Sequence, residues 1–119
     1  MFGYFQICLK VGIAVLFFQI IKKYLEKSMT LILTNDDGID APGIQALFKA
    51  VEQSAISSQI IIAAPQAHLS GCGHPVTTAT PLSLQRRSDT AYAIAGTPAD
   101  CVRLSISHIC PEVKWLLSG

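Results

Sequence analysis

The chain reads as an open α/β fold built on parallel strands, and three observations predict it. Two short apolar runs, Thr30–Thr34 (TLILT) and Gln59–Ala64 (QIIIAA), are too short for helices and end in strong turn signals. Between them lies a stretch with apolar residues at helical spacing. Strand, helix, strand over this length is a βαβ unit, which requires parallel pairing and a right-handed crossover.

The elements follow in order. Thr30–Thr34 is a buried strand that stops at Asn35-Asp36-Asp37-Gly38. Asp40-Ala41-Pro42-Gly43 opens a helix, with Asp40 as the expected cap and Pro42 in the first turn. Ile44, Leu47, Phe48 and Val51 give that helix one apolar face. Gln59–Ala64 is a second buried strand, stopped by Pro65. Gln66–Pro75 (QAHLSGCGHP) lacks periodicity and reads as a loop at that strand's end. Val76–Leu84 is expected to be extended, with Pro81 arguing for an edge. Arg86–Asp89 reads as a polar turn, and Thr90–Ala95 as another short strand. A last helix starts at Thr97, with Thr97 as cap, Pro98 in the first position and Asp100 in the positive first turn. Val102, Ile106 and Ile109 are its expected buried face, and Val113–Leu117 a final strand.

Composition narrows the function classes. The 119 residues suffice for one domain, half of them are hydrophobic, and 14% are charged. That composition is not a disordered tail, and a net charge of +1 is no electrostatic footprint for nucleic acid. Cys8, Cys72, Cys101 and Cys110 form no CxxC pair and lack histidines at zinc-finger spacing. Reduced thiols in the cytoplasm are the expectation.

The first 28 residues differ from the rest. They carry four lysines against one glutamate, whereas residues 29–119 carry five basic and seven acidic residues. Val11–Ile21 is apolar, but Lys10 and the Lys22-Lys23 pair bound it, so it falls short of the roughly 20 residues of a span. Three readings compete: a membrane or signal segment, a translated stretch upstream of a start at Met29, and a helix packed on the domain. The pattern favours the second, so membrane contact through residues 1–28 is not the preferred expectation. Residues 29–119 form the compact α/β domain.

In open α/β folds ligands bind beyond the carboxyl ends of the strands. Two loops fall there. Asp36 and Asp37, just past a strand end, can converge, and such a pair repels unless a cation sits between them. Oxygen-only donors suit Mg²⁺ or Mn²⁺. The plain alternative is a solvated Asx-type turn. Ser70-Gly71-Cys72-Gly73 offers a hydroxyl and glycines that let backbone N–H groups approach an anion. A metal beside an anion nest suits a phosphate ester, with metal-assisted hydrolysis as the reaction. His74 is a candidate proton donor or phosphate contact. His68 and His108 are weaker candidates, and Cys72 reads as filler. The helix start at Gly96–Asp100 either merely caps or helps shape the same crevice.

Three stretches also resemble a known family. Thr34–Leu47 (TNDDGIDAPGIQAL), Ala64-Pro65 with Leu69–His74 (LSGCGH), and Gly96–Val102 (GTPADCV) are similar to the successive motifs of the survival protein SurE family of 5′/3′-nucleotidases. The resemblance covers the chain from Met29 onward. It implies a Rossmann-like, three-layer parallel sheet with flanking helices. It implies an acid-phosphatase-like, divalent-metal-dependent enzyme acting on nucleoside 5′- or 3′-monophosphates, with metal-activated water as nucleophile. By the resemblance, Asp36, Asp37 and Ser70 match the metal ligands; Asn35, Gly71, Gly73 and His74 are the accompanying phosphate and substrate candidates. Family members are expected to be homo-oligomers of roughly twice this length, and their fourth ligand is an asparagine in a Ser-Gly-Ile-Asn-like stretch. Leu117-Ser118-Gly119 stops just before that position, so the expectation is an N-terminal part of the domain with one ligand missing. A non-catalytic remnant of the family is the alternative. A receiver-like signalling domain fits less well, because neither Asp89 nor Lys114 stands at a suitable strand end.

Overall fold

The computed structural model describes residues 5–8, 30–68 and 75–119. Among these residues six strands form one sheet: β1 (Phe5–Cys8), β2 (Thr30–Thr34), β3 (Gln59–Pro65), β4 (Leu84–Ser88), β5 (Ala91–Ile94) and β6 (Trp115–Ser118). Their order across the sheet is β1-β6-β2-β3-β5-β4. All neighbours pair parallel except β4, which runs antiparallel to β5. Helix α1 (Pro42–Ser54) connects β2 to β3, and helix α2 (Pro98–Leu104), continued by a wider π-helical turn over Ser105–Ile109, connects β5 to β6.

The strand alternation sorts the sheet's side chains into two cores. Leu31, Leu33, Ile62, Ala64 and Leu117 face α1 and meet Ile44, Leu47 and Val51. Ile32, Ile61, Ala63, Ile94 and Leu116 face the other way and meet Cys101, Cys110 and Val113. A sheet covered on both faces explains why β2 and β3 read as continuous apolar runs. Each fully buried Ile or Leu here contributes about 1.5–3 kcal/mol. The expected α/β sheet with flanking helices is therefore present.

Several local expectations are corrected. Ala41, not Asp40, is the cap residue of α1, and no side chain caps that end. Pro42 removes one orphan N–H, and the Gln45 side chain ties the first turn to the Ile39 carbonyl, to which it donates. Asp40 reaches Arg87 at 3.6 Å. The residues expected to turn, Arg86-Arg87-Ser88, lie inside β4, and the turn falls at Asp89-Thr90. As an exposed edge strand, β4 carries no apolar alternation, and its arginines are the charges that keep such an edge from pairing further. The fully buried residues of the last helix are Asp100 and Cys101, with Ser105 just beyond them; Val102, Ile106 and Ile109 are only partly buried.

Ser105 also accounts for the π-helical turn. Its hydroxyl donates back to the Cys101 carbonyl at 2.6 Å, and Ser107 does the same to Arg103. Such back-bonding loosens a helix, and Cys110 then donates to the Ser105 carbonyl five residues back.

The apolar run Val11–Ile21 lies outside the described residues. Phe5–Cys8, from the same segment, pairs in parallel with β6, so the segment adds a strand to the sheet. Among the described residues no helix is long and apolar enough to cross a membrane.

Candidate active site at the carboxyl ends of the strands

The topology brings four strand ends together. From β2 the chain steps outward to β3 and then β5, and returns to set β6 on the other side of β2. Because β2, β3, β5 and β6 are parallel, the residues after each emerge on one rim. Backbone hydrogen bonds continue past the strands there. Ile39 donates to the Pro65 carbonyl at 2.8 Å, Gln66 to Ile94 at 2.9 Å, and Gly119 to Thr34 at 3.0 Å.

The turn after β2 is braced by Asn35. Its side-chain nitrogen donates to the Gly38 carbonyl at 2.8 Å, and its oxygen accepts from the Gly38 N–H at 3.1 Å. Asn35 is buried, 3% exposed, whereas Asp36 and Asp37 between the two anchors are exposed. Gly38 has φ +103°, which disfavours any side chain. A Cβ there would also lie 3.2 Å from the Ala67 backbone. The turn is thus pressed against the chain leaving β3, and the sequence Asn-Asp-Asp-Gly supplies both requirements. Asn35, expected to contact phosphate, has both polar ends engaged by Gly38.

His68, at the end of the β3 exit, places Nδ1 3.2 Å from Asp37 Oδ1. Sequence reasoning ranked this histidine low, because nothing local links it to Asp37 across the β2–β3 crossing. Thr34 Oγ1 is buried at the same rim and finds no hydrogen-bond partner among the described residues.

The start of α2 forms the second part of the rim. Thr97 and Asp100 make the expected capping box: the Thr97 hydroxyl accepts from the Asp100 N–H, and the Asp100 carboxylate accepts from the Thr97 N–H. The carboxylate does more than cap. Asp100 is fully buried, and Thr77 donates both its N–H, at 2.7 Å to Oδ1, and its hydroxyl, at 2.6 Å to Oδ2. Arg103 donates to the Thr77 carbonyl at 2.7 Å and lies 3.7 Å from Asp100. The Thr97 hydroxyl donates to the Pro75 carbonyl at 2.6 Å. Gly96 allows this approach, since a Cβ on it would lie 2.7 Å from Asp100 Oδ2.

Burial alone would raise the Asp100 pKa, but the hydrogen bonds from Thr77 and Thr97 outweigh it and hold the group at about 2, against an ordinary 3.8. A lowered carboxylate pKa stabilises the fold fully above about pH 4, and that contribution is lost as pH falls toward 2. Thermal unfolding followed from pH 6 to pH 2 should therefore show a steeper acid loss for the wild type than for Asp100→Asn, which has no carboxyl to titrate. Next to it, burial and then the Asp100 charge push the Cys101 thiol up to about 12. A thiol so protonated is not a nucleophile.

Of the predicted site residues, Asn35, Asp36 and Asp37 lie together on the turn after β2. Ser70, Gly71, Gly73 and His74, with Cys72, lie outside the described residues. Among the described residues no three His, Cys, Asp or Glu side chains form a metal-holding group. The two exposed carboxylates are oxygen donors, which fits a hard divalent ion and not a soft one.

This geometry can be set beside known proteins. Residues 31–119 match the family model described as survival protein SurE. The chain belongs to the SurE family. A Nostoc sp. protein carrying a provisional 5′-nucleotidase name is 63% identical over 91 residues, which is 76% of this chain and 38% of that protein. The Burkholderia lata protein named 5′-nucleotidase SurE 1 is 40% identical over 91 residues, 75% of this chain and 34% of its own length. The solved SurE protein of Aquifex aeolicus superposes with a TM-score of 0.69 at 40% identity, covering 76% of this chain and 36% of that one. This SurE-family chain thus spans little more than a third of the length of these relatives.

Proposed function

We propose that this chain forms the nucleotide-hydrolysing rim of a SurE-type 5′-nucleotidase, a phosphomonoesterase acting on nucleoside 5′- or 3′-monophosphates with a divalent ion, Mg²⁺ or Mn²⁺. The observation that carries the reading is the braced Asn35–Gly38 turn, which presents Asp36 and Asp37 to solvent at the carboxyl end of β2. Asp36 and Asp37, with Ser70, would hold the ion. Bound there, it would withdraw charge from phosphoryl oxygens and acidify a water.

The chain's own residues have defined parts in this reading. Asn35 and Gly38 hold the two carboxylates on a fixed turn, so that little reorganisation accompanies binding. His68 orients Asp37 through its Nδ1 contact. Ser70, Gly71, Gly73 and His74 would supply a hydroxyl, backbone N–H groups and a proton donor toward the phosphate. Gly119 is tied to Thr34, so an asparagine soon after it would leave from the same rim. The names of the relatives support the nucleotidase part of the reading. Assembly as a homo-oligomer in the cytoplasm belongs to the same proposal.

The test is phosphate release from adenosine 5′- and 3′-monophosphate by this chain extended to the length of its relatives. Release is expected with Mg²⁺ or Mn²⁺, to stop with a chelator, and to return when the ion is restored. Turnover unaffected by chelation would refute the metal-dependent reading.

A further inference from the structure

The chain leaving β3 is held against the Asn35–Gly38 turn by backbone contacts. The Ile39 N–H donates to the Pro65 carbonyl at 2.8 Å. A Cβ on Gly38 would lie 3.2 Å from the Ala67 carbonyl carbon and 3.3 Å from the His68 nitrogen, so the bare glycine is what lets the two segments approach. His68 thus reaches Asp37 from a backbone already in place, with Nδ1 3.2 Å from Oδ1. The two side chains are 56% and 58% exposed. An ion pair so exposed contributes about 0–1 kcal/mol, so the fold gains little from it. Both atoms stay within reach of an ion from solvent.

The spacing of the pair suits a chelate. In an octahedral shell, two neighbouring ligands about 2.1 Å from the ion lie about 3 Å apart. Asp37 Oδ1 and His68 Nδ1 already have nearly that separation. Carboxylates alone suit Mg²⁺, whereas an imidazole nitrogen suits the later first-row ions. We propose that His68 Nδ1 is a nitrogen ligand that shares a divalent ion with Asp37, and that it turns the preference of the rim from Mg²⁺ toward nitrogen-accepting ions such as Co²⁺. The imidazole binds as the neutral tautomer that keeps its proton on Nε2, leaving the Nδ1 lone pair for the ion. The pair fills two positions of the shell, and among the described residues no third His, Cys, Asp or Glu joins them. The inference rests on Asp37 as a metal ligand in the nucleotidase reading, and adds to that reading a nitrogen that bonds the ion directly.

The experiment titrates Co²⁺ and Mg²⁺, each alone, into the chain extended to its relatives' length. It compares wild type with His68→Asn, Asp37→Asn and His108→Asn, the last an exposed histidine on the π-helical turn. Electron spin-echo spectra of the Mn²⁺-loaded proteins report a ring nitrogen bound to the ion. Asparagine at position 68 keeps a donor for Asp37 but offers the ion no ring nitrogen. His68→Asn is expected to weaken Co²⁺ binding at least about tenfold and Mg²⁺ binding less than about threefold, with the nitrogen signal lost and the melting temperature unchanged. Asp37→Asn should weaken both ions, and His108→Asn neither. An undiminished nitrogen signal in His68→Asn, or equal losses for Co²⁺ and Mg²⁺, would leave His68 an orienting group and overturn the ligand assignment. An equal loss in His108→Asn would mark the Co²⁺ effect as unspecific and overturn it too. A wild type that binds neither ion would overturn both this assignment and the metal-dependent reading. Nitrogen-bound metal without phosphate release from either nucleotide would refute the nucleotidase reading and leave the His68 assignment standing.

Discussion

Asp36→Asn should abolish metal-dependent phosphate release while leaving the fold unchanged. Asp36 is exposed on its turn and makes no contact that holds the core among the described residues, so its removal costs little stability. The carboxamide is nearly the same size but neutral, and it halves the charge that the turn offers a divalent ion. Loss of a group that merely orients a ligand costs roughly 10–100-fold, so loss of a ligand should cost at least about 100-fold in kcat/KM. The assay is nucleoside monophosphate hydrolysis in the chain extended to its relatives' length, with melting temperature measured beside it. Full activity in Asp36→Asn would remove the turn from the site.

Asn35→Ala should behave in the opposite way, as a stability defect first. Its oxygen is the acceptor for the buried Gly38 N–H, and alanine leaves that donor without a partner. The Gly38 carbonyl keeps a second donor, Ala41 N–H at 3.2 Å, so the loss falls mainly on one group. An unpaired buried N–H costs about 1–3 kcal/mol. For a domain of this size that lowers the melting temperature by about 10 °C. Were Asn35 instead a phosphate contact, Asn35→Ala would depress activity at constant melting temperature, and the two measurements separate the roles.

The contrast between these neighbours shows what was legible in the sequence. Apolar runs of strand length separated by a helical period gave β2, α1 and β3, because both faces of those strands are buried. The α2 start was legible because a capping box is a local pattern. The acidic pair was legible because Asn-Asp-Asp-Gly after a strand admits few structures. The bracing of Gly38 by Asn35 was within reach of the same turn chemistry, since asparagine side chains bond nearby backbone groups in turns.

What failed was non-local or solvent-facing. Arg86–Ser88 of β4 carries the polar pattern of a turn because, beyond the half-buried Leu84, the strand's side chains face water. The Asp100–Thr77 and His68–Asp37 contacts join residues whose proximity depends on the order of strands in the sheet. No spacing along the chain announces that order. The strand at Phe5–Cys8 was hidden inside an apolar segment whose composition suits several structures.

The place of β6 has a temporal consequence. It lies between β2 and β1, pairing Leu31 and Phe5 alike with Trp115, so this side of the sheet joins residues far apart in the chain. During synthesis β2, α1 and β3 can assemble as soon as they emerge, but β2 waits with one bare edge until β6 arrives. Closing so long a loop is slow, because its entropy is lost before the pairing energy is gained. The Thr34–Gly119 link, at the mouth of the rim, then forms only once β6 is in place. A nascent chain would carry its acidic turn before that turn has a finished wall beside it.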